Sequence, residues 1–108
     1  MGELMEGWIK LYRKMTEWQW YKNPVVRVVF EHLLLTANRE DKYWNDILIR
    51  KGQVVTSCRH LASNTGLSVQ QVRTAILKLK STQDITYKST NKYTLITIVN
   101  YDKYQSRR

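Results

Sequence analysis

Cysteine occurs once in these 108 residues, at Cys58, and proline once, at Pro24. A lone cysteine excludes an internal disulfide framework and fits a reducing cytosol, so a cytoplasmic protein is expected. With only His32 and His60 beside Cys58, the ligands are too few and wrongly spaced for a structural zinc site. The four glycines form no phosphate-cradling loop, and no pair of carboxylates has the context that acid–base chemistry needs. No catalysis, no metal and no cofactor are therefore expected. Long apolar runs are missing too. The longest, "PVVRVVFEHLLL", is interrupted by Arg27, Glu31 and His32 and is not a membrane span. Glu3, Glu6, Lys10 and Arg13 break every candidate signal-peptide core.

Acidic residues are scarce in one half. Residues 1–50 hold 8 Lys/Arg against 7 Asp/Glu, a balance of +1. Residues 51–108 hold 10 Lys/Arg against Asp84 and Asp102 alone, a balance of +8 within the overall +9. Basic excess gathered into one half points to a polyanion-facing surface, with nucleic acid the commonest case, or to a solubilising surface. A 43% hydrophobic composition with four Trp and seven Tyr is that of a globular chain with a real core, and the length suits one domain.

The pattern predicts a mainly helical α+β fold. Residues 1–23 read as an aromatic N-terminal arm with one short helix around Lys14 to Trp18. Asn23 caps the next helix, with Pro24 at its first position, where a missing N–H costs nothing. From Pro24 to about Asn38, Val26, Val29, Phe30, Leu33 and Ala37 form a helical stripe, and Val25, Val28 and Leu35 a second ridge. A helix apolar on two sides must be covered twice, by the arm or by another subunit. Residues 39–46 read as a charged loop. "ILI", "RKG" and "QVVTS" then read as a hairpin turning at Gly52. Helices follow from Cys58 to about Thr65, capped by Thr56 or Ser57, and from Val69 to about Ser81, capped by Ser68. "DITYK" and "YTLITIV" make a second hairpin with a basic tip. The stretch "NYDKYQSRR", residues 100–108, reads as a frayed end or the start of a linker, with residues 106–108 beyond the domain.

The stretch "NTGLSVQQVR", residues 64–73, carries the functional signal. Gly66 supplies the turn, Ser68 the cap, Ala62 a small residue where the helices cross, and Leu61, Leu67, Val72, Ile76 and Leu79 the apolar contacts of a helix-turn-helix. Its second helix turns Val69, Val72, Ile76 and Leu79 to the core and leaves Gln70, Gln71, Arg73, Thr74, Leu77 and Lys78 on other faces. Gln and Arg can make bidentate contacts to adenine and guanine edges. Ser68 and Gln71 also match a capping box, so Gln71 has two readings, cap or base contact. A helix-turn-helix followed by a hairpin is the winged-helix arrangement. Its wing, with Lys88, Asn91 and Lys92, would reach phosphates or a minor groove. The candidate DNA-binding residues are therefore Ser68, Gln70, Gln71, Arg73, Thr74, Lys78, Lys88, Asn91 and Lys92. Trp8, Trp18, Trp20 and Tyr21 in the arm are candidates for a self-association contact. Residues 24–105 would form the DNA-binding domain.

"GWIKLYRK", "HLLLTAN", "RKGQVVTS", "LSVQQVRTAILKLKST" and "KSTNKYTLITIVNYDKYQ" together resemble the N-terminal domain of phage and prophage replication-initiation, or replisome-organiser, proteins related to the DnaD family. The likeness runs from about Gly7 to Gln105. It implies a winged-helix domain in a bacterial cytoplasm that binds origin or single-to-double-strand DNA, most simply as duplex, and self-associates. It also implies replisome partners and, in the family, a separate C-terminal domain. Two other roles use the same residues: a transcriptional repressor, and an oligomerisation scaffold with weak DNA binding.

Overall fold

Asn23 and Pro24 open the first helix as their chemistry requires. In the computed structural model, which describes residues 7–105, the Asn23 side chain accepts from the Val26 amide at 3.2 Å, and α1 runs Pro24–Thr36. It stops short of Asn38 because Ala37 turns extended and the Asn38 amide bonds to the Gln53 carbonyl at 2.9 Å. Val26, Val29, Phe30, Leu33 and Leu34 are buried.

The second ridge of α1 is covered only in part: Val25 packs against the core, while Leu35 stays 61% exposed. Before α1, a 3₁₀ turn spans Arg13–Glu17. Ile9, Met15, Trp18 and Trp20 pack against the core, with Trp18 tilted on Phe30 at 4.9 Å between ring centroids. After the last strand, residues 101–105 form a short helix, α4 (Tyr101–Gln105), where a frayed end was expected. Tyr101 is buried, and Tyr104 meets Phe30 edge-on at 6.2 Å. Gln105 clasps the arm reciprocally: it accepts from the Lys10 amide at 2.8 Å and donates to the Lys10 carbonyl at 3.0 Å. Both ends of the described chain thus meet at Phe30 of the first stripe. The arm's residues 1–6 and the tail at 106–108 lie outside the described residues.

The first hairpin is not where the pattern put it. Residues 39–46, expected as a loop, contain β1 (Lys42–Trp44), which pairs antiparallel with β2 (Ile47–Ile49). Asn45 and Asp46 between them both have positive φ, 48° and 67°, the left-handed pair that a two-residue hairpin turn of matching twist demands. "QVVT" is β3 (Gln53–Thr56), but it does not pair with "ILI". Residues Arg50–Gln53 make a turn, closed by the Gln53 amide on the Arg50 carbonyl, that carries the chain into a different sheet. There β3 pairs with β5 (Thr94–Ile98), which also pairs with β4 (Ile85–Ser89), in the order β3-β5-β4. The physical reason is β5 itself. Its Thr94, Ile96 and Ile98 are buried in strict alternation, and pairing on both edges satisfies its backbone inside the core. Ile96 then faces Val54 across one ladder and Tyr87 across the other.

Between β3 and β4 in the chain lie α2 (Cys58–Thr65) and α3 (Val69–Ser81). Ser57, not Thr56, caps α2, accepting from the His60 amide at 3.1 Å. Gly66 follows in the left-handed region at φ 77°, its amide on the Ala62 carbonyl. Leu61, Val72, Ala75, Ile76 and Leu79 join the α1 stripe and Ile85, Ile96 and Ile98 in one core. Cys58 is half-buried and packs against that core. Burial pushes the His32 imidazole below its ordinary value, and the Tyr101 phenol above it.

Candidate nucleic-acid interface

α3 presents three distinct surfaces. Val72, Ala75, Ile76 and Leu79 are buried, so the row opposite them, Gln70, Thr74, Leu77 and Ser81, is the outermost ridge of the helix. All four are exposed, and Leu77 is 64% so, an apolar side chain held in water among polar ones. Arg73 and Lys80, two turns apart, share one flank. Lys80 reaches the β4 side, with its ammonium 5.3 Å from the Tyr87 ring, and Arg73 stays exposed. Gln71 and Lys78, also two turns apart, share the other flank.

That second flank is occupied from within. Ser68 and Gln71 form the full capping box: the Ser68 hydroxyl accepts from the Gln71 amide at 3.0 Å, and the Gln71 carbonyl oxygen accepts from the Ser68 amide at 2.9 Å. The Lys78 ammonium lies 5.7 Å from the Trp20 ring, half-buried, instead of pointing away as the helical spacing predicts. The cause is long-range. Trp20 is anchored at the end of α3 by its indole N–H, which donates to Thr82 at 3.0 Å, and this brings its ring within reach of Lys78, one turn earlier.

The loop between β4 and β5, the expected wing, is built locally. The Thr90 hydroxyl accepts from the Lys92 and Tyr93 amides, both at 3.1 Å, and the Thr90 amide donates to the Tyr93 carbonyl at 2.8 Å. Lys88, Asn91 and Lys92 stand exposed around this closed tip. Neither acidic residue of the basic half opposes them. Asp84 accepts from the Thr82 hydroxyl, and Asp102 binds the Lys51 ammonium at 2.8 Å, a contact that holds Lys51 above its ordinary value. The open ridge of α3, its Arg73 flank and the wing therefore carry positive charge and no carboxylate.

The aromatic candidates separate. Trp18 and Trp20 are half-buried in their own core, and Tyr21 is stacked under the Arg27 guanidinium at 4.7 Å. Trp8 is 85% exposed. Sequence reasoning missed a second aromatic group, Tyr43 and Trp44 on β1, where Trp44 meets Tyr93 beside the wing tip edge-on at 5.5 Å. The Asn45-Asp46 pair was the available signal for that hairpin. Among the described residues no group of three or more His, Cys, Asp or Glu could hold a metal ion, and no helix is long and apolar enough to cross a membrane.

No family model, no curated protein and no solved structure matches this chain.

Proposed function

We propose that this chain is a winged-helix DNA-binding module without catalytic activity, the duplex-contacting part of a phage-type replication-initiation protein. The observation that carries the reading is the acid-free surface formed by the outer ridge of α3, Arg73 and the wing. Helix order supports it as well: α2, a glycine turn and α3 are followed directly by a hairpin whose sheet includes a strand preceding α2. In this reading α3 lies in the major groove, with Gln70, Arg73 and Thr74 at base edges and Leu77 beside a thymine methyl. Lys88, Asn91 and Lys92 sit at phosphates. Ser68 and Gln71 hold the helix start, and Lys78 belongs to the Trp20 contact rather than to DNA. The replication role rests on the likeness of "LSVQQVRTAILKLKST" and the closing "YTLITIVNYDKYQ" to replisome organisers, since a fold alone does not choose between replication and repression.

Two variants test the division of labour. Arg73→Ala is expected to cost about 1–3 kcal/mol on the preferred duplex and to relax discrimination between sequences. Lys88→Ala with Lys92→Ala should instead weaken unrelated duplexes equally and flatten the log–log salt dependence by about one unit per lost contact. Anisotropy titrations over a salt series read both, with the melting temperature as a control for folding. Wild-type affinity in both variants would refute the interface.

A further inference from the structure

Where the arm and α4 meet over α1, they leave a pocket of about 330 Å³. Its wall includes three aromatic rings, with Trp18 inclined at 43° to Phe30 and Tyr104 at 88° to Phe30. Met15 and Leu34 add aliphatic surface. Phe30 and Leu34 are buried and form the bottom, while Leu11 and Tyr12 stand 54% and 53% exposed at the mouth. The charges around it have one sign. Lys14 comes from the 3₁₀ turn and Lys103 from α4, both exposed, and Lys10 lines the pocket as well. No carboxylate is among the described residues that line it. None of them belongs to α2, α3 or either sheet, so this pocket is separate from the candidate nucleic-acid interface.

We propose that this pocket binds a medium-chain fatty acid, its alkyl chain over Phe30 and Leu34 and its carboxylate at Lys14 and Lys103. An apolar cavity with a few polar groups at its edge is the usual form of a small-molecule site, and roughly 300 Å³ is the lower end of that class. The apolar lining gains by leaving water, and ammonium groups at the rim reward a guest whose head is anionic. Ring geometry favours an alkyl body over an aromatic one. Neither ring contact is parallel, so a flat guest has no slot to enter, whereas a flexible chain follows an irregular wall. Length follows from volume: at roughly 30 Å³ for each water-sized group, the pocket holds about ten. A peptide fits less well. Extended peptides add to a sheet edge and helical ones need a groove several anchors long, but here a 3₁₀ turn and two helices surround one short cavity. A second copy of the chain would bring the same lysines against these. The site stands on its own geometry and does not depend on DNA binding.

The test titrates the intact chain with octanoate, 1-octanol and octyltrimethylammonium, which share one alkyl chain and differ in head-group charge, and follows amide and indole NMR shifts. Octanoate should saturate one site about tenfold more tightly than octanol, with the cation weakest and the shifts centred on Met15, Trp18, Leu34 and Tyr104. It should also raise the melting temperature, because the ligand bridges the arm to α1 and α4. Lys14→Ala with Lys103→Ala should bring octanoate down to the octanol level at an unchanged melting temperature. Lys14→Gln with Lys103→Gln keeps the side-chain stems and repeats the comparison if the alanine pair alters melting. Equal binding of octanoate and octanol by wild type would overturn the proposal, as would an octanoate preference that survives both lysine pairs. So would shifts that spread over the surface without saturating. Concentration-dependent shifts at the same residues without ligand, with sedimentation as a dimer, would give the pocket to a second copy and overturn it too.

Discussion

Gly52→Ala is expected to destabilise the protein by about 2–4 kcal/mol, summing a strained left-handed backbone and an overpacked contact. Gly52 sits at φ 84°, and a Cβ built there would lie 2.7 Å from Tyr101 Cβ and 2.9 Å from its Cγ. Neither side can yield easily. The Gly52 amide donates to the Asn38 carbonyl at 2.8 Å, and the Gly52 carbonyl accepts from the Ile98 amide at 2.9 Å. Tyr101 is itself 7% exposed and begins α4. Gly66→Ala is the proper comparison, because Gly66 has a similar φ of 77° with no atom within 4 Å of a new Cβ. That variant should lose only the conformational part, about 1 kcal/mol. Urea midpoints of the two variants decide the matter. Equal losses would mean that Tyr101 does not press on the Arg50–Gln53 turn.

A chain beginning at Lys22 is expected to be at best marginally folded. It lacks Ile9, Met15, Trp18 and Trp20, four partly buried side chains packed on the core, together with the Trp20–Thr82 hydrogen bond and the Gln105 clasp. At roughly 1 kcal/mol or more for each half-buried side chain, the loss is about 4–6 kcal/mol, which is comparable to the whole stability of many domains of this size. Circular dichroism melts and sedimentation of both chains provide the measurement. A truncated chain that melts with the intact one would release the arm's aromatics for contact with a second copy. A loss of cooperative melting assigns them to this core.

These cases also show what a linear pattern carries and what it omits. The α2–Gly66–α3 unit was legible residue by residue because its determinants are local: the Ser57 and Ser68 caps, the left-handed glycine and the period of the buried row. The start of α1 was legible for the same reason. The "ILI"–"QVVTS" hairpin was misread because a glycine turn between two apolar runs looks alike whether the runs pair with each other or part company. The partner of β3 is β5, far along the chain, and nothing near Gly52 announces it. The Lys78 contact with Trp20 was not legible, because a position on the helix says nothing about a ring that reaches it only once the arm has folded back. "REDKYWND" hid a strand because its charges outweighed the Asn45-Asp46 turn signal. The α4 residues read as a tail because the cavity that Tyr101 fills is made by Gly52 and lies in another part of the sequence.

The β3-β5-β4 order has a consequence for how the chain acquires its structure. The middle strand of the sheet is the last to occur in sequence, so Thr56 must find Thr94 across the whole of α2 and α3. Contacts between α2 and α3, by contrast, close over a few residues. Loop-closure entropy therefore sets a schedule in which the helical pair can assemble early, while β3 waits with unpaired edges for β5. Pulse-labelling hydrogen exchange during refolding should find α2 and α3 amides protected before those of Val54 and Val55, and simultaneous protection would contradict that schedule. Until β5 arrives, the nascent protein exposes a short β-branched strand to other chains. The charged segment around Arg50 and Lys51 sits immediately beside that edge, where like charge on neighbouring copies opposes their pairing.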